Sequence, residues 1–531
     1  MKDAASAPSR LRRHFHQARW EEPIIFQLSQ PGQRGILPPQ PEPELLAEVG
    51  PPQTLIPQKL RRQHAPALPE LAQPQVLRHY LRLSQETLGA DLIVDAGQGT
   101  CTMKYSPRIN ERWARSPQFA ALHPLQAEED VQGILEILYR FEQILKAISG
   151  MDRFSLQPQA GSAAIYTNAS MVRAYHAQRG ESHRNEIITT LFSHPSDAAA
   201  AVAAGFRAII LYPDPDTGYP SVQALKAALS ERTAALFITN PEDTGIFNPH
   251  IAEFTRLVHQ AGGLCVYDQA NANGILGITR AREMGFDLCH FNLHKTFSSP
   301  HGSGGPGAGA VGATAELAPF LPAPLVDFDG QRYFWDNDRP QSIGKVAMWY
   351  GNVGVILRAF AWAMSLGAEG MREVAEIATL NNNYLLKRVL QAPGVEAPFS
   401  PGHRRIEQVR YSWQQLAQET GVHTQDLGRR AGDFGVQYWL SHHPWYVPEP
   451  VTLEPTESYT RAELDEYADI LAQVAQEAYQ DPAFVRQAPH RSPIHRIDPS
   501  VLDDPALWAL TWRAYLKKKD KWPGSDSSST P

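Results

Sequence analysis

The 531-residue sequence has few cysteines and no long apolar run. Its three cysteines, Cys101, Cys265 and Cys289, form an odd and sparse set, which argues against a disulfide framework and for a reducing compartment. Their spacing matches no zinc pattern, so no structural metal is expected. No apolar run approaches the roughly 18 residues that span a bilayer. We therefore expect no membrane segment and a cytoplasmic location.

Excess charge of either sign is also missing. The formal net charge is −7 and the pI is about 6.3, so there is no electrostatic reason to expect nucleic acid or an anionic membrane as a partner. The first twenty residues are basic but lack the apolar core of a secretory signal. We interpret them as a mobile tail, with an organelle address as the alternative.

Proline enrichment and helix-strand alternation divide the chain. We predict a mobile tail (1–20), an N-terminal wrapping segment that begins with extended, proline-rich chain (21–110), a large domain (111–355), a small α+β C-terminal domain (356–515) and a disordered tail (516–531). Predicted strands lie at 208–212, 234–239, 264–267 and 287–290. Predicted helices lie at 75–88, 128–148, 221–229, 250–261, 281–284, 358–366, 369–391 and 461–478. Alternating strands and helices between 150 and 315 indicate an α/β fold with a mostly parallel sheet.

Polar residues follow two of the predicted strands. Asn240 comes after the run AALFIT and Asp268 after the run LCVY. In parallel sheets, ligand-binding groups gather at the carboxyl ends of the strands. We therefore expect Asn240 and Asp268 to lie at one candidate site.

Lys295 is the strongest candidate for chemistry. It lies in Asn292-Leu-His-Lys-Thr-Phe297, after a predicted strand and before the glycine-rich segment PHGSGGPGAG (300–309). A lysine in such a restricted pocket suits an amine nucleophile that forms a Schiff base, and glycines let backbone approach a ligand closely. The alternative is a surface lysine beside an ordinary loop.

The other candidates fit a pyridoxal phosphate site, although each has a simpler structural explanation. Asp268 could keep the pyridine nitrogen of the cofactor protonated, or it could be a turn or helix-cap residue. Asn240 could donate to the phenolic oxygen, or Asn-Pro could be a turn. Gly161 and Ser162, before a helical stretch, could bind phosphate through backbone N–H groups, or be a loop. His194 could stack on the cofactor ring, or be a structural histidine.

Several segments together resemble the glycine decarboxylase family, the P-protein of the glycine cleavage system, in its subunit 2 form. The resemblance covers about residues 22–515, and the segment around Lys295 is the most specific part of it. The matching segments are EPIIFQLSQPGQRG (22–35), RHYLRLSQ (78–85), CTMKYSPRINE (101–111), GMDRFSLQPQAG (150–161), ITNPEDTGIF (238–247), DQANANGILG (268–277), NLHKTFSSPHGSGGPGAG (292–309), LEPTES (453–458) and DPAFVRQAPH (481–490).

The resemblance implies a fold-type-I pyridoxal phosphate enzyme, similar to aspartate aminotransferase. Lys295 matches the Schiff-base lysine, Asp268 the pyridinium partner, His194 the stacking histidine, and Gly161 with Ser162 the phosphate cradle. The residues that match others lining the family site are Thr102, His294 and His301. The implied reaction is decarboxylation of glycine and transfer of the aminomethyl group to the lipoyl group of the carrier H-protein. The implied partner is subunit 1, in a hetero-oligomer, and a homo-oligomer is the alternative.

The chain also departs from the family pattern near the site. Where the family usually has SAHGTNPAS, this chain has FSHPSDAAA (192–200), so that Asp197 stands in place of an amide. DGANLNA likewise becomes DQANANG, with Gln269 beside Asp268. Two alternatives to glycine decarboxylation therefore stay open. One is a diverged enzyme of the family that decarboxylates, cleaves or transaminates another amino acid, and the other is a non-catalytic assembly partner.

Overall fold

A computed structural model describes residues 11, 18, 20, 22–64, 66–87, 93–94, 96–97, 104–300, 305–438, 445–492, 496, 502 and 504–519. The chain divides into two compact units. Unit 1 comprises Met1–Arg13 and Gly89–Ala488, and unit 2 comprises His14–Leu88 and Pro489–Pro531. Most of the two predicted tails lies outside the described residues. The other predicted domain boundaries stay predictions.

Unit 1 contains a seven-stranded sheet with the order β1-β7-β6-β5-β4-β2-β3. Its strands are β1 (Arg153–Ser155), β2 (Glu186–Thr190), β3 (Arg207–Leu211), β4 (Thr233–Thr239), β5 (Leu264–Gln269), β6 (Leu288–Asn292) and β7 (Gly309–Ala313). The strands from β2 to β6 pair in parallel, and β7 is antiparallel to both β1 and β6. The predicted mixed, mostly parallel sheet is therefore confirmed.

Helices surround this sheet in unit 1. The described helices of the whole chain are α1 (Pro43–Val49), α2 (Gln73–Gln85), α3 (Arg108–Ala114), α4 (Pro117–Ala120), α5 (Gln132–Ser149), α6 (Gly161–Gln178), α7 (Pro195–Ala203), α8 (Val222–Ala228), α9 (Ile251–Gln260), α10 (Val353–Val389), α11 (Gln414–Thr420), α12 (Thr424–Gly432), α13 (Arg461–Gln480), α14 (Pro482–Arg486) and α15 (Trp512–Lys518). No described helix is long and apolar enough to cross a membrane.

Both faces of the central strands β4, β5 and β6 are buried. On β4, Leu236 and Ile238 join the core that includes α5 and α9, whereas Ala235 and Phe237 join the core that includes α6 and α7. Successive side chains of a strand point to opposite faces, so a strand covered on both sides is a continuous apolar run. This is why the run AALFIT predicted β4 well.

The remainder of unit 1 has its own core. Strands β10 (Val409–Ser412) and β11 (Pro450–Leu453) pair antiparallel, and α11, α12, α13 and α14 pack with them. A further antiparallel pair, β8 (Leu325–Phe328) with β9 (Tyr333–Asp336), lies against α5. The predicted helices at 358–366 and 369–391 correspond to α10, which breaks at Gly367, where φ is 65°.

Some predicted elements differ from the structure. The helix expected at 281–284 is only a 3-10 turn, Arg282–Met284, and the proline-rich chain before residue 75 contains α1. Strand β2 and helix α7 were not predicted. Pro195 is the first residue of α7, a position where a missing N–H costs nothing, so the proline begins the helix rather than excluding it.

Unit 2 buries few of its side chains. Glu22 contacts His79 at 2.9 Å and Arg82 at 3.2 Å, and the rings of Phe26 and Trp512 stack with centroids 5.4 Å apart. Helix α2 buries only His79, and α1 buries none of its residues. Large apolar side chains that are more than half exposed in this unit include Ile36, Leu37, Val49, Leu55, Leu60 and Leu68.

Candidate active site

The carboxyl ends of β4, β5 and β6 bring Asn240, Asp268 and Lys295 to one edge of the sheet. Thr239 is the register partner of Asp268, and Asn240 follows it directly. Lys295 lies three residues beyond the end of β6, in a turn where its N–H donates to the Asn292 carbonyl at 3.1 Å. The lysine is 7% exposed, and its amine has no hydrogen bond or ion pair with any described residue.

Asp268 is a buried carboxylate with one oxygen in use and one without a partner. Its Oδ1 accepts a hydrogen bond from the Ala270 N–H at 2.8 Å and lies 3.2 Å from His290 Nε2. Its Oδ2 has no hydrogen-bond partner among the described residues. Burial alone would raise the pKa of Asp268, but the charge and hydrogen bond of His290, the Ala270 amide and the charge of His194 outweigh it and lower the pKa to about 2.

His290 was not among the predicted site residues. It is fully buried on β6, directly opposite Asp268 in the parallel register. A histidine in the run LCHFN looks like a core residue. Only the pairing of β5 with β6 shows that it contacts Asp268.

Gly161 is the first residue of α6, where backbone N–H groups of the first turn have no partner within the helix. A Cβ at this position would lie 2.4 Å from Asn292 Nδ2 and 2.7 Å from Asn292 Oδ1. A larger residue at position 161 would therefore require the Asn292 side chain or the start of α6 to move. Ser162, the next residue, shares the same first turn, so both predicted cradle residues lie at a helix N-terminus suited to phosphate.

His194 is half-buried at the N-cap of α7. Its Nδ1 accepts a hydrogen bond from the Ser196 N–H at 3.1 Å, which fixes the orientation of the imidazole ring. The ring lies within electrostatic reach of Asp268, whose pKa it helps to lower. The structure thus places His194 near the predicted pyridinium partner.

Asn240 and His294 both have partners within the protein. The Asn240 side chain accepts from the Asn248 N–H at 2.8 Å and donates to the Asn248 carbonyl at 3.3 Å. His294 Nδ1 lies 3.1 Å from the Ala308 amide nitrogen. A Cβ at Gly307 would come within 2.8 Å of the same Nδ1. The other two predicted residues, Thr102 and His301, lie outside the described residues.

Glu454, at the end of β11, is a second acidic residue that was not predicted for the site. Its Oε1 accepts hydrogen bonds from Asn271 Nδ2 at 2.6 Å and Asn273 Nδ2 at 2.8 Å, both in the loop after β5. Burial raises the pKa of Glu454 to about 7, although the two asparagines and the charges of Lys295 and Lys104 act to lower it. The motif LEPTES was recognised, but nothing in it shows which loop it contacts.

Lys104 is a second buried lysine in this region. Its amine lies 3.0 Å from Glu457 Oε2 and 5.0 Å from the centre of the Trp362 ring. The neighbouring Tyr105 N–H donates to Ser458 Oγ at 2.8 Å. Residues 104–105 and 457–458 are thus held together, close to the loop that contains Asn271.

One described group of side chains has the composition of a metal site. Ligand atoms of His259, Cys265 and Asp287 lie within 4.8 Å of one another. However, Asp287 Oδ2 already accepts from the Cys265 N–H at 2.7 Å and contacts His259 Nε2 at 2.8 Å. The Cys265 thiol donates to the Thr255 carbonyl, so ordinary hydrogen bonding and ion pairing explain this group.

Three features of the site fit one kind of cofactor, an aromatic aldehyde with a ring nitrogen and a phosphate. The Lys295 amine can condense with the aldehyde. The unpartnered Oδ2 of Asp268 can accept a hydrogen bond from a protonated ring nitrogen. The start of α6, where Gly161 has no side chain, can bind the phosphate.

The most informative comparison is with curated proteins of similar length. The chain is 43% identical over 512 residues to the probable glycine dehydrogenase (decarboxylating) subunit 2 of Pyrococcus abyssi, covering 96% of this chain and 99% of that protein. The chain belongs to the glycine dehydrogenase (decarboxylating) subunit 2 family. A member from Halalkalibacterium halodurans is also 43% identical, over 481 residues, covering 90% of this chain and 96% of that protein.

The family models agree with this membership, and the solved structures agree with the fold. The model "Glycine dehydrogenase, C-terminal domain" matches residues 374–490, and "Aminotransferase class-V" matches residues 165–311. A crystal structure of glycine decarboxylase (P-protein) of the glycine cleavage system, in inhibitor-bound form, superposes with a TM-score of 0.68 at 20% identity, covering 83% of this chain and 100% of that one. A sphingosine-1-phosphate lyase from Burkholderia pseudomallei superposes with a TM-score of 0.58 at 14% identity, covering 82% of this chain and 98% of that one. The predicted family and fold class are confirmed.

Proposed function

We propose that this chain, a subunit 2 family member, decarboxylates glycine with pyridoxal phosphate held on Lys295 and passes the aminomethyl group to a lipoyl carrier protein. The observation that carries the proposal is the pair of Lys295 and Asp268 on neighbouring strand ends. Both are buried, and the Lys295 amine and the Asp268 Oδ2 have no partner among the described residues.

Pyridoxal phosphate, when bound, supplies an aromatic ring that accepts the electron pair left when CO2 departs. Asp268 would hold a proton on the ring nitrogen, which its low pKa and its contact with His290 favour. His194, oriented by Ser196, would lie against the ring. The positions of these side chains support the proposed roles.

The remaining residues would bind the cofactor at its edges. The first turn of α6, from Gly161 and Ser162, would bind the phosphate through N–H groups. One hydrogen of the Asn240 amide is used by Asn248, which leaves the other for the phenolic oxygen. Thr102, His294 and His301 stay proposed lining residues through the family resemblance.

The same assignment includes two protein partners, subunit 1 and a lipoyl H-protein, in a hetero-oligomer. The exposed apolar side chains of unit 2, among them Leu55 and Leu60, support a protein interface. Replacing both with aspartate should abolish co-purification with subunit 1 and leave the thermal transition of the isolated chain unchanged. The sparse cysteines support a cytoplasmic location.

A second candidate is the same chemistry on another amino acid, and Asp197 favours it. This buried carboxyl group lies near Asp268, at a position where the family usually has an amide. A non-catalytic role is disfavoured because Lys295 and Asp268 are both present and buried together.

The decisive assay is exchange of labelled bicarbonate into the carboxyl group of glycine, with subunit 1 and lipoylated H-protein present. We expect exchange that disappears when the H-protein lacks its lipoyl group. No exchange with glycine, combined with a change in the cofactor spectrum on adding another amino acid, would support the second candidate instead.

A further inference from the structure

Arg410, on β10, is a fully buried cation with two specific contacts. Its Nη2 donates to Asp243 Oδ2 at 2.7 Å, and its Cζ lies 5.1 Å from the centre of the Phe192 ring. Its Nη1 has no hydrogen-bond partner among the residues that the structure describes. Taking a guanidinium out of water costs more than an incomplete set of partners returns, so a buried ion pair of this kind is weak evidence for a role in stability. The contacts with Asp243 and Phe192 call for another explanation.

Both partners of Arg410 belong to segments that carry residues assigned to the cofactor. Phe192 is two residues before His194, and Asp243 is three residues after Asn240. The Asp243 N–H also donates to the Phe192 carbonyl at 3.3 Å. A backbone hydrogen bond therefore joins the two segments, and Arg410 bridges their side chains.

A second hydrogen bond joins the same two segments. The N–H of Thr239, the residue directly before Asn240, donates to Ser193 Oγ at 3.0 Å. Ser193 directly precedes His194, and its own N–H donates to Thr190 Oγ1 at 3.2 Å. Because both links lie next to the assigned residues, a displacement of one segment is transmitted to the other.

Asp243 is the anion that balances Arg410, although two other buried acids lie nearby in the sequence. Burial raises the pKa of Glu242 to about 8 and raises that of Glu407 well above its ordinary value. Both therefore favour the protonated form at neutral pH. Arg410 has an ion pair with neither of them, whereas its contact with Asp243 is short and charge-assisted.

We propose that Arg410 is a positioning residue that, through Asp243 and Phe192, holds in place the segments that carry Asn240 and His194. The inference rests on the proposed function, because these two residues are assigned there to the phenolic oxygen and the ring of the cofactor. Removal of the tether lets both segments shift, which weakens cofactor binding and alters the surroundings of the cofactor ring.

The tether also joins two parts of the chain that match different family models. Arg410 lies in the range matched by the glycine dehydrogenase C-terminal domain, residues 374–490. Its two partners lie in the range matched by aminotransferase class-V, residues 165–311. The C-terminal part of unit 1 thus contributes to the geometry of the site at the carboxyl ends of the sheet strands.

The test uses the double variant Arg410→Met/Asp243→Asn, which removes both charges and keeps side chains of similar size. Neutral replacement of a buried ion pair often leaves stability little changed, whereas Arg410→Met alone leaves Asp243 without its counter-ion and should lower the thermal transition. Hydrogen exchange is followed by mass spectrometry on the full-length chain without cofactor. The N–H groups of Asp243 and Thr239, which link the two segments, should exchange about tenfold faster in the double variant than in the wild type.

The matched control is a buried arginine of similar surroundings in the core formed by β10, β11 and α11–α14. Arg430 pairs with Asp433 at 3.0 Å and lies 4.6 Å from the centre of the Phe434 ring. Arg430→Met/Asp433→Asn should leave exchange in both linking segments unchanged. Unchanged exchange in a folded Arg410→Met/Asp243→Asn variant overturns the proposal.

If the double variant does not fold, Arg410→Lys takes its place in the same comparison. Lysine keeps a charge for Asp243 but loses the planar group that lies over Phe192, so exchange should rise by a smaller factor. Exchange equal to that of the wild type in a folded Arg410→Lys variant would then contradict the positioning role.

Cofactor binding provides the second readout. Pyridoxal phosphate affinity, measured by equilibrium dialysis, should fall about tenfold in Arg410→Met/Asp243→Asn, and the visible absorption of the bound cofactor should shift. Arg410→Lys should recover part of both. An equal fall in affinity in the Arg430→Met/Asp433→Asn control would show a merely structural effect and overturn the proposal. If even the wild type binds no pyridoxal phosphate, the proposed function fails, whereas the exchange experiment still decides whether Arg410 holds the two segments.

Discussion

Asp268 on β5 and His290 on β6 are register partners, with Asp268 Oδ1 and His290 Nε2 3.2 Å apart. Both side chains are almost fully buried, so the pair is screened little by solvent. The contact occupies one carboxylate oxygen and leaves the other for a ligand. This arrangement explains how a buried aspartate can remain ionised while one of its oxygens accepts no hydrogen bond from the described residues.

Replacing Asp268 with asparagine should remove the charge and preserve the shape of the side chain. We expect cofactor binding to weaken moderately and glycine exchange to fall by about 100-fold or more, the usual order for loss of a preorganised electrostatic group. The exchange assay measures this directly, with circular dichroism to confirm folding. Asp338→Asn is the control, and full exchange in Asp268→Asn would show that this carboxylate does not support the ring.

Gly161→Ala should damage the phosphate cradle. The added Cβ would lie 2.4 Å from Asn292 Nδ2, and forced overpacking of this kind costs about 1–3 kcal/mol. If that strain is relieved by displacing the start of α6, pyridoxal phosphate affinity should fall about tenfold or more, as measured by equilibrium dialysis. The matched control is Gly133→Ala on α5, where a Cβ would meet nothing within 4 Å. Equal affinities in both variants would show that the added Cβ does not displace the phosphate-binding N–H groups of α6.

Glu454→Gln should change the pH dependence of stability. Burial raises the pKa of Glu454 from 4.5 to about 7, so the folded state binds a proton more tightly than the unfolded chain between these values. Stability from this group is present at low pH and is lost as pH rises towards and through 7. Glutamine keeps a side-chain oxygen that accepts the hydrogen bonds of Asn271 and Asn273. Because glutamine does not ionise, the variant should not lose this stability as pH rises.

The free energy of unfolding at pH 5 and pH 8 tests this expectation. Relative to that of the wild type, the free energy of unfolding of Glu454→Gln should rise by on the order of 3 kcal/mol from pH 5 to pH 8. The free energy of unfolding of the exposed-site control Glu373→Gln should not rise in this way. If the free energies of unfolding of Glu454→Gln and the wild type differ by the same amount at both pH values, Glu454 is ionised throughout. Its surroundings would then be more polar than the contacts indicate.

Local sequence predicted the central strands well, and it singled out the main candidate site residues. β4 and β5 are buried on both faces, so they appear as apolar runs, and the polar residues that end them are conspicuous. Lys295 has a specific motif around it. These features depend on neighbours in the chain, which is why sequence reasoning could find them.

The residues that were missed depend on contacts between distant parts of the chain. Glu454 is 183 residues from Asn271, which binds it. His290 gains its contact with Asp268 only through strand pairing. Asp197 stands out in the sequence as a departure from the family, but its burial and its nearness to Asp268 follow from how α7 begins, and α7 was not predicted.

The central claim is that Lys295 holds the cofactor. The most direct measurement is borohydride reduction of the protein with pyridoxal phosphate, followed by peptide mapping by mass spectrometry. We expect the reduced cofactor on Lys295, no such label in a folded Lys295→Ala variant, and unchanged labelling in the control Lys345→Ala, where an exposed lysine is removed. An unmodified Lys295, or a label at another lysine that persists in Lys295→Ala, would contradict the account.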